Sequence, residues 1–352
     1  MTMQARASAP ARGGSAAAIE AHGLVKSYPK GVRALDGLSF SVPAGTVFGL
    51  LGPNGAGKST TVKILTTLAQ PDAGTAFVAG LDVRARPAQV RHLIGVVAQR
   101  SGADPMATGR ENLLLSGRIL GLRGRDLGRR ADGLLSRFGL AGAAGRLVRT
   151  YSGGMQRRLD VAMGLIHQPQ VLFLDEPTAG LDPEGRSSMW AEIARLAAAE
   201  GLTILLTTHY LEEADRLASQ LAIIDRGRVV AAGTPDELKG QLRGDAVHLE
   251  IADGERAASV PAALGRVPGI GDVRVAGTRV SARAGDGASA LPAVLTALDG
   301  AGIAVRTATV ARPSLDDVYL RYAGRRFADA DAGHGPGAAS GPIPATPAGG
   351  SR

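Results

Sequence analysis

The clearest chemical motif in the chain is a glycine-rich stretch, Gly52–Ser59, that ends in lysine and serine. The apolar run Val47–Leu51 before it predicts a strand, and Thr60–Leu68 after it predicts a helix. Small residues let backbone N–H groups turn towards phosphate oxygens, and the helix N-terminus adds its positive end. Lys58 can then reach the β- and γ-phosphates of ATP, and the Ser59 hydroxyl can bind Mg²⁺. The predicted nucleotide-binding residues here are Gly52, Pro53, Asn54, Gly55, Ala56, Gly57, Lys58, Ser59 and Thr60.

A second motif is the apolar run Val171–Leu174, which is followed by Asp175 and Glu176. At the end of a strand, Asp175 suits a contact to Mg²⁺ through water. Glu176 is then placed to orient or deprotonate the water that attacks a phosphate. General-base help of this kind contributes about 10²–10⁴-fold in rate.

A third motif, Thr150–Gln156, precedes a predicted helix over Gln156–Ile166. Its serine and two glycines, Ser152-Gly153-Gly154, would present N–H groups and a helix dipole to an anion. The chain already has one loop for phosphates, so this second anion site makes sense if it faces the ATP of another subunit. The alternative is an ordinary helix with Ser152 as its N-cap.

These motifs must be positioned by an α/β domain, because short apolar strands alternate with amphipathic helices over residues 19–242. Segments 1–18 and 324–352 are rich in small residues and are predicted to be disordered. The predicted strands of the domain are Val47–Leu51, Ile94–Ala98, Val171–Leu174, Thr203–Thr207 and Leu221–Asp225.

A separate unit is predicted over residues 243–323, with the element order β-α-β-β-α-β of a small ferredoxin-like α+β domain. Its predicted strands are Val247–Ile251, Asp272–Ala276, Arg279–Ala284 and Ile303–Val310, and its predicted helices are Ala257–Val267 and Leu291–Gly300.

The composition narrows the possible partners. The chain has no cysteine, which excludes disulfides, thiolate zinc sites and cysteine nucleophiles. Its formal net charge is +8, but the arginines are scattered with few aromatic residues among them, so we expect no nucleic-acid site. No apolar run approaches the roughly 20 residues of a membrane span. Any spans that the protein works with would belong to another chain.

Taken together, the motifs of Ile19–Leu242 resemble the nucleotide-binding subunit of ABC transporters. Gly52–Ser59 matches the Walker A motif of that family, Val171–Glu176 matches Walker B with its catalytic glutamate, and Tyr151–Met155 matches the signature loop. The other matches are Tyr28 at the adenine-stacking position, Gln99 as the Q-loop glutamine, Ala179–Asp182 as the D-loop with Asp182, and His209 as the switch histidine.

The resemblance implies a P-loop ATPase with a helical subdomain that works as a head-to-tail homodimer. Two ATP molecules would lie between the Walker A motif of one subunit and the signature loop of the other, whose residues are Ser152, Gly153, Gly154 and Met155. It also implies that Lys58, Glu176 and His209 are catalytic, and that Ser59, Gln99 and Asp175 bind Mg²⁺.

The same resemblance implies a polytopic membrane permease as partner, contacted near Gln99 and Ala107–Leu115. The chain would then be a peripheral protein on the cytoplasmic face of the cell membrane. A soluble ABC-type ATPase acting on nucleic acid or in translation is the alternative. That class usually carries long coiled coils or two ATPase domains, and the compact stretch between Lys58 and Ser152 has no sustained heptads.

Two residues depart from the usual signature, because Tyr151 stands in place of leucine and Met155 in place of glutamine. This form resembles the branch of drug and antibiotic exporters that includes daunorubicin-resistance ATPases. It favours an exporter over an importer, with a hydrophobic drug as cargo and a lipid or polysaccharide as alternatives.

The late stretch Pro313–Leu320 resembles the same branch, where the C-terminal domain is thought to support dimer or partner contacts. It fits equally well as an amphipathic helix that packs Leu315, Val318 and Tyr319.

Overall fold

The computed structural model describes residues 17–242, 244–324 and 327. The strands, in chain order, are β1 (Ala17–Tyr28), β2 (Val32–Pro43), β3 (Val47–Leu51), β4 (Ala73–Val78), β5 (Leu81–Asp82), β6 (Ile94–Val97), β7 (Val171–Asp175), β8 (Thr203–Thr208), β9 (Gln220–Asp225), β10 (Arg228–Gly233), β11 (Asp245–Ile251), β12 (Ile270–Ala276), β13 (Arg279–Ala284) and β14 (Val305–Ala311).

The helices are α1 (Lys58–Leu65), α2 (Pro87–Leu93), α3 (Gly109–Ile119), α4 (Gly124–Arg137), α5 (Gly153–Leu165), α6 (Pro183–Glu200), α7 (Leu211–Leu217), α8 (Pro235–Gly240), α9 (Val260–Leu264), α10 (Gly287–Gly300) and α11 (Leu315–Ala323). Within the described part of the chain, none of them combines the length and the apolar character that crossing a membrane requires.

A six-stranded sheet forms the centre of the larger domain, in the order β10-β9-β3-β8-β7-β6. Neighbours from β9 to β6 are parallel, whereas the edge strand β10 is antiparallel to β9. Parallel strands covered on both faces are apolar along their length, and β3 is buried at every residue. The predicted α/β fold is confirmed, and the five predicted strands occur with ends within one residue of the prediction.

The larger domain also has an antiparallel sheet, in the order β2-β1-β4-β5. Strand β1 begins at Ala17, two residues inside the segment predicted to be disordered, because Ala17 pairs with Pro43 of β2. Residues 1–16 lie outside the described residues. The antiparallel sheet packs on α1 and on the central sheet through buried side chains that include Leu38, Ile64 and Phe48. Strand β3 is therefore held firmly at the point where it enters the glycine-rich loop.

Helices α3, α4 and α5 form the predicted helical subdomain. Leu113, Leu135 and Leu159, one from each helix, belong to a single buried cluster. The cluster continues to Leu172 and Leu174 of β7. Helix α5 therefore packs against both the helical subdomain and the central sheet, which places it between the elements that carry the predicted site residues.

The C-terminal domain is an antiparallel sheet in the order β12-β13-β11-β14, covered by α9 and α10. This is the strand order of the predicted ferredoxin-like sandwich, and the predicted strands occur within two residues of their expected ends. The predicted helix Ala257–Val267 is wrong in its extent: a 3₁₀ stretch, Gly254–Ser259, precedes the short α9. Pro261 lies in the first turn of α9, where the N–H that proline lacks has no partner within the helix, and Gly265 follows the last turn.

Helix α11 packs back on the larger domain. Leu315, Val318 and Tyr319 are buried in a cluster that also contains Leu51 and Leu242, so the interpretation of this stretch as a packing helix is confirmed. The Tyr319 hydroxyl donates to Asp225 Oδ1 over 3.1 Å.

Phe327, which falls in the segment 324–352 predicted to be disordered, packs edge-on against Tyr319 with the ring centres 4.9 Å apart. It belongs to the same buried cluster as Tyr319. Residues 325, 326 and 328–352 lie outside the described residues.

Candidate functional site

The glycine-rich loop connects β3 to α1. Gly57 is the N-cap of α1, with φ of 112°, in the left-handed region that favours glycine. A side chain there would also place its Cβ 2.6 Å from the carbonyl oxygen of Ala34. Lys58 is 5% exposed, and its Nζ donates to the carbonyl oxygens of Gly52 over 2.6 Å and Pro53 over 3.1 Å. The ammonium group therefore lies against the backbone of its own loop.

The remaining predicted loop residues divide by exposure. Asn54, Gly55 and Ser59 are exposed and Thr60 is partly buried, whereas Pro53 and Ala56 are buried. The loop thus has one side fixed in the domain and one side open to a ligand.

Glu176 directly follows β7 and has a backbone φ of 48°, which is unusual for a residue other than glycine. Its backbone N–H donates to the carbonyl oxygen of Thr207 in β8 over 3.1 Å. The two carboxylate oxygens have different partners. Nδ1 of His209 lies 3.0 Å from Oε1, and Nε2 of Gln99 donates to Oε2 over 3.0 Å. Three of the predicted site residues, which are far apart in sequence, therefore meet at one carboxylate.

Lys58 completes the charge environment of this carboxylate, with Nζ 3.9 Å from Oε1 of Glu176. Burial acts to raise the pKa of Glu176, but the hydrogen bond and charge of His209, with the charge of Lys58, hold that pKa below its ordinary value. The Glu176 carboxylate is therefore ionised at neutral pH.

Asp175, the last residue of β7, is partly exposed and accepts a hydrogen bond from the Thr207 hydroxyl over 2.5 Å. Thr207 thus holds both predicted acidic residues, since its backbone carbonyl binds the Glu176 N–H. Ser59 is exposed in the first turn of α1. For Gln99, a metal ligand would have to be the amide oxygen, because the amide nitrogen is the atom that contacts Glu176.

Tyr28 ends β1 and is partly buried, with its ring centre 5.8 Å from Nζ of Lys26. This is a cation–π contact within the antiparallel sheet. The described contacts of Tyr28 do not include the glycine-rich loop or Glu176, so its adenine-stacking role stays a prediction.

The signature residues Ser152, Gly153 and Gly154 line a surface pocket together with Asp182 of the D-loop. Ser152 caps α5 and accepts from the Met155 N–H over 3.3 Å, and Asp182 caps α6 and accepts from the Gly185 N–H over 3.0 Å. Among the residues that the structure describes, this pocket has no lining residue from Gly52–Thr60. The chain therefore brings the signature loop and D-loop together in a pocket that the glycine-rich loop does not line.

Packing explains both departures from the usual signature. The Tyr151 hydroxyl donates to the carbonyl oxygen of Ala143 over 2.7 Å in a buried position. Gly109 makes room for it, since a Cβ there would lie 2.3 Å from the Tyr151 oxygen. Met155 packs against the buried cluster of the helical subdomain. Both substitutions serve the interior of this chain and leave Ser152 to Gly154 unchanged.

Two buried charged residues near the site are absent from the sequence predictions. Arg157 of α5 donates to four backbone carbonyl oxygens around Gln99 and Glu176. Glu213 of α7 is completely buried and accepts from the Thr178 hydroxyl over 2.9 Å and from Trp190 Nε1 over 3.1 Å. Burial raises the pKa of Glu213, although these donors act in the opposite direction.

Comparison with known families agrees with this architecture. The family model "ABC transporter" matches residues 35–179, and the model "ATP-binding protein DrrA1-3-like, C-terminal domain" matches residues 233–323. The chain belongs to the ATP-binding proteins of ABC transporters. Proteins of this family are ATPases that power transport, and this chain is an ATPase of that kind.

Several relatives match over most of this chain. The daunorubicin resistance ATP-binding protein DrrA2 of Streptomyces coeruleorubidus is 46% identical, over 90% of this chain and 98% of the relative. The daunorubicin/doxorubicin resistance ATP-binding protein DrrA of Streptomyces peucetius is 46% identical, over 87% and 92%. A Nod factor export ATP-binding protein I of Sinorhizobium fredii is 42% identical, over 90% and 89%.

Solved structures support the fold of the larger domain. CbiO1 of Clostridium perfringens, part of an ABC transporter complex, matches with a TM-score of 0.59 and 27% identity, over 64% of this chain and 91% of that protein. A dimeric ATP-binding cassette with bound ADP and phosphate matches with a TM-score of 0.57 and 24% identity, over 61% and 98%. At this identity the second match shows the fold alone.

Proposed function

We propose that this chain binds and hydrolyses ATP to power the efflux of a hydrophobic drug or antibiotic through a separate membrane subunit. The two daunorubicin-resistance relatives support this class of cargo, since each matches at least 87% of this chain. The Nod factor export relative supports export as the direction of transport. A lipid or polysaccharide cargo is the alternative.

Lys58 and the backbone N–H groups of the glycine-rich loop bind the phosphates of ATP, and Tyr28 stacks on the adenine. Three features support this assignment: the left-handed backbone of Gly57, the buried ammonium of Lys58 and the exposed side of the loop at Asn54 and Gly55. Consecutive N–H groups at the start of a helix favour an anionic ligand.

Ser59, Asp175 and Gln99 are the residues that would hold Mg²⁺. A hydroxyl, a carboxylate and an amide oxygen fit a hard cation, and they are too few to enclose it without phosphate and water oxygens, which is the usual arrangement for Mg²⁺. When bound, Mg²⁺ supplies positive charge that neutralises the phosphate oxygens.

Glu176 orients the attacking water and accepts its proton. A general base must be ionised and correctly aimed. The lowered pKa of Glu176 supports the first requirement. His209 and Gln99, each on a different carboxylate oxygen, support the second. We assign to His209 the further role of binding the γ-phosphate.

The signature loop completes the ATP site of a second copy of this chain. The observation that carries this proposal is that the pocket lined by Ser152–Gly154 has no lining residue from the glycine-rich loop of the same chain. A Cβ at Gly153 or Gly154 would meet nothing within 4 Å. Packing inside this chain therefore does not require glycine at these positions, whereas the close approach of a phosphate from another subunit does.

The membrane subunit docks at a cleft of about 410 Å³ that lies beside Gln99. Its lining includes Leu68, Val96 and Ile119, whose side chains are large, apolar and exposed. Exposed apolar side chains grouped in one cleft are typical of a protein-binding surface. We accordingly assign the chain to the cytoplasmic face of the membrane, as a peripheral subunit.

Transport measurements test this function. The full-length chain is co-expressed with the membrane protein encoded beside it, and doxorubicin uptake into inside-out vesicles is followed with and without ATP. We expect ATP-dependent uptake with the wild-type chain and none with the Glu176→Gln variant.

Uptake that does not depend on ATP, or a chain that stays in the soluble fraction beside that membrane protein, would overturn the exporter assignment. Uptake of a labelled lipid or oligosaccharide in place of doxorubicin would overturn the cargo class alone.

A further inference from the structure

Arg157 is a buried cation at the centre of the loops that carry the predicted catalytic residues. Its side chain is 7% exposed. Nη1 donates to the carbonyl oxygen of Ala98 over 2.5 Å and Nε to that of Pro177 over 2.8 Å. Nη2 donates to the carbonyl oxygens of Asp175 over 2.8 Å and Glu176 over 3.1 Å. One guanidinium thus joins the residue before Gln99 to three consecutive residues, Asp175, Glu176 and Pro177, where β7 ends.

Such a buried charge is unfavourable unless its donors are satisfied, since a cation loses its hydration when it is buried. Burial lowers the pKa of Arg157 from its ordinary value, while the carboxylates of Asp160, Asp175, Glu213 and Glu176 act in the opposite direction. Arginine remains charged in proteins. The planar guanidinium group of arginine, with its several N–H donors, suits four carbonyl oxygens better than the single ammonium group of lysine does.

The backbone that Arg157 binds is unusual. Glu176 lies in the left-handed region, a conformation that is unfavourable for a residue other than glycine and persists only where surrounding contacts enforce it. Arg157 binds the carbonyl oxygens of Asp175 and Glu176 from one side. Thr207 holds the Glu176 N–H from the other.

A second residue of α5 binds the residues that follow Gln99 in the chain. Asp160, three positions after Arg157, accepts from the Ser101 hydroxyl over 2.9 Å and from the Gly102 N–H over 3.1 Å. Residues three apart on a helix share a face. Helix α5 therefore fixes the chain on both sides of Gln99, through Arg157 at Ala98 and through Asp160 at Ser101 and Gly102.

We propose that Arg157 is a positioning residue for ATP hydrolysis, which acts by holding the Glu176 carboxylate and Gln99 in their working geometry relative to helix α5. The inference rests on the proposed role of Glu176 as the base. Because α5 begins at the signature loop, Arg157 is also a direct connection between the surface that meets a partner's ATP and the catalytic glutamate of the same chain.

Kinetics of full-length variants test the role of Arg157. In Arg157→Lys the charge is kept but the planar guanidinium group with its several N–H donors is lost. We therefore expect kcat to fall roughly ten- to a hundredfold, as for a small misplacement of a catalytic group. The Kd for ATP, which depends on the glycine-rich loop, should stay within about twofold of wild type. Arg130→Lys is the matched control, because Arg130 donates to the carbonyl oxygen of Ile166 away from these loops, and its kcat should not change.

A double-mutant cycle separates positioning from general damage to the fold. If Arg157 acts chiefly through Glu176, then Arg157→Lys should cause a much smaller loss in single-turnover hydrolysis when Glu176→Gln is already present than it does in the wild type. Multiplicative losses, or an Arg157→Lys variant with the kcat of wild type, would overturn the inference and leave the proposed function standing. A wild-type chain that hydrolyses no ATP would instead overturn the proposed function itself.

Discussion

Nδ1 of His209 lies 3.0 Å from Oε1 of Glu176, and the two residues follow the adjacent strands β8 and β7. This contact, together with that of Gln99, orients a single ionised carboxylate.

In Glu176→Gln the base is lost while the side-chain shape is kept. We expect hydrolysis to fall about 10²–10⁴-fold, with ATP still bound and dimers accumulating in its presence. Phosphate release and size-exclusion chromatography measure these effects, and Glu212→Gln, an exposed change on α7, is the control. Unchanged turnover in Glu176→Gln would contradict the assigned role.

Lys58→Ala should weaken nucleotide binding. The ammonium is buried against its own loop, so its removal deletes a positive charge at the phosphates without opening a large apolar core. Lys63→Ala, on the exposed face of the same helix, should bind like wild type. Titration with a fluorescent ATP analogue compares the variants, and equal isotherms for Lys58→Ala and wild type would rule out the phosphate-loop assignment.

Gly154→Ala should separate stability from activity. The position is helical and a methyl group meets nothing within 4 Å, so we expect the free energy of unfolding to rise by about 0.5–1 kcal/mol. Hydrolysis should nevertheless fall, since the methyl group would face the ATP of the partner subunit. Gly133→Ala is the matched control, because it also lies in a helix with open space, and it should gain stability and keep its activity. A fully active Gly154→Ala variant would argue against a shared ATP site.

Glu213→Gln should change how stability depends on pH. The pKa of Glu213 is raised by burial, so the folded state binds the proton more tightly than the unfolded state does. The wild type therefore loses stability as the pH rises from the ordinary glutamate pKa of 4.5 through the raised pKa in the folded protein. The variant lacks this loss and can still accept from Thr178 and Trp190.

We thus expect the free energy of unfolding of Glu213→Gln, relative to wild type, to be higher at pH 8 than at pH 5. Urea titrations at the two pH values measure the difference. The same difference at both values, or one of opposite sign, would refute this account.

Tyr151 and Gly109 should be coupled in stability. Tyr151→Phe removes a buried hydroxyl that binds Ala143, at a cost of about 1 kcal/mol. Gly109→Ala forces a methyl group against the same hydroxyl and should cost more. In the presence of Tyr151→Leu, Gly109→Ala should be tolerated better than alone. Denaturant unfolding of the wild type, Tyr151→Leu, Gly109→Ala and their double variant would reveal the difference. Additive losses would show that the two residues do not compete for space.

Burial decides how much of the fold the sequence predicts. Strands β3, β7 and β8 are buried along nearly their whole length, so their apolar runs are clear in the sequence. Strands β1 and β2, of twelve residues each, are interrupted by irregular pairing and exposed polar positions, and no run of apolar residues marks their limits.

The residues of the site also differ in how clearly the sequence marks them. Gly52–Ser59, Asp175 and Glu176 act through their own side chains or glycine backbone, and these leave a pattern of residue types. Arg157 acts on the carbonyl oxygens of Ala98 and Asp175, and every residue type carries a carbonyl group. Only the folded chain brings these partners together, so no spacing in the sequence marks that contact.

The packing of helix α11 against the larger domain limits how the two domains can be exchanged among relatives. Leu315, Val318 and Tyr319 share one cluster with Leu51 at the end of β3, Ala214 of α7 and Leu242. In a hybrid joined after Leu242, helix α11 would come from one protein and the larger domain from another. The two halves of this buried cluster would then come from different sequences. Compatibility at these few side chains, more than similarity of the C-terminal sheets, should decide which hybrids assemble as intact proteins.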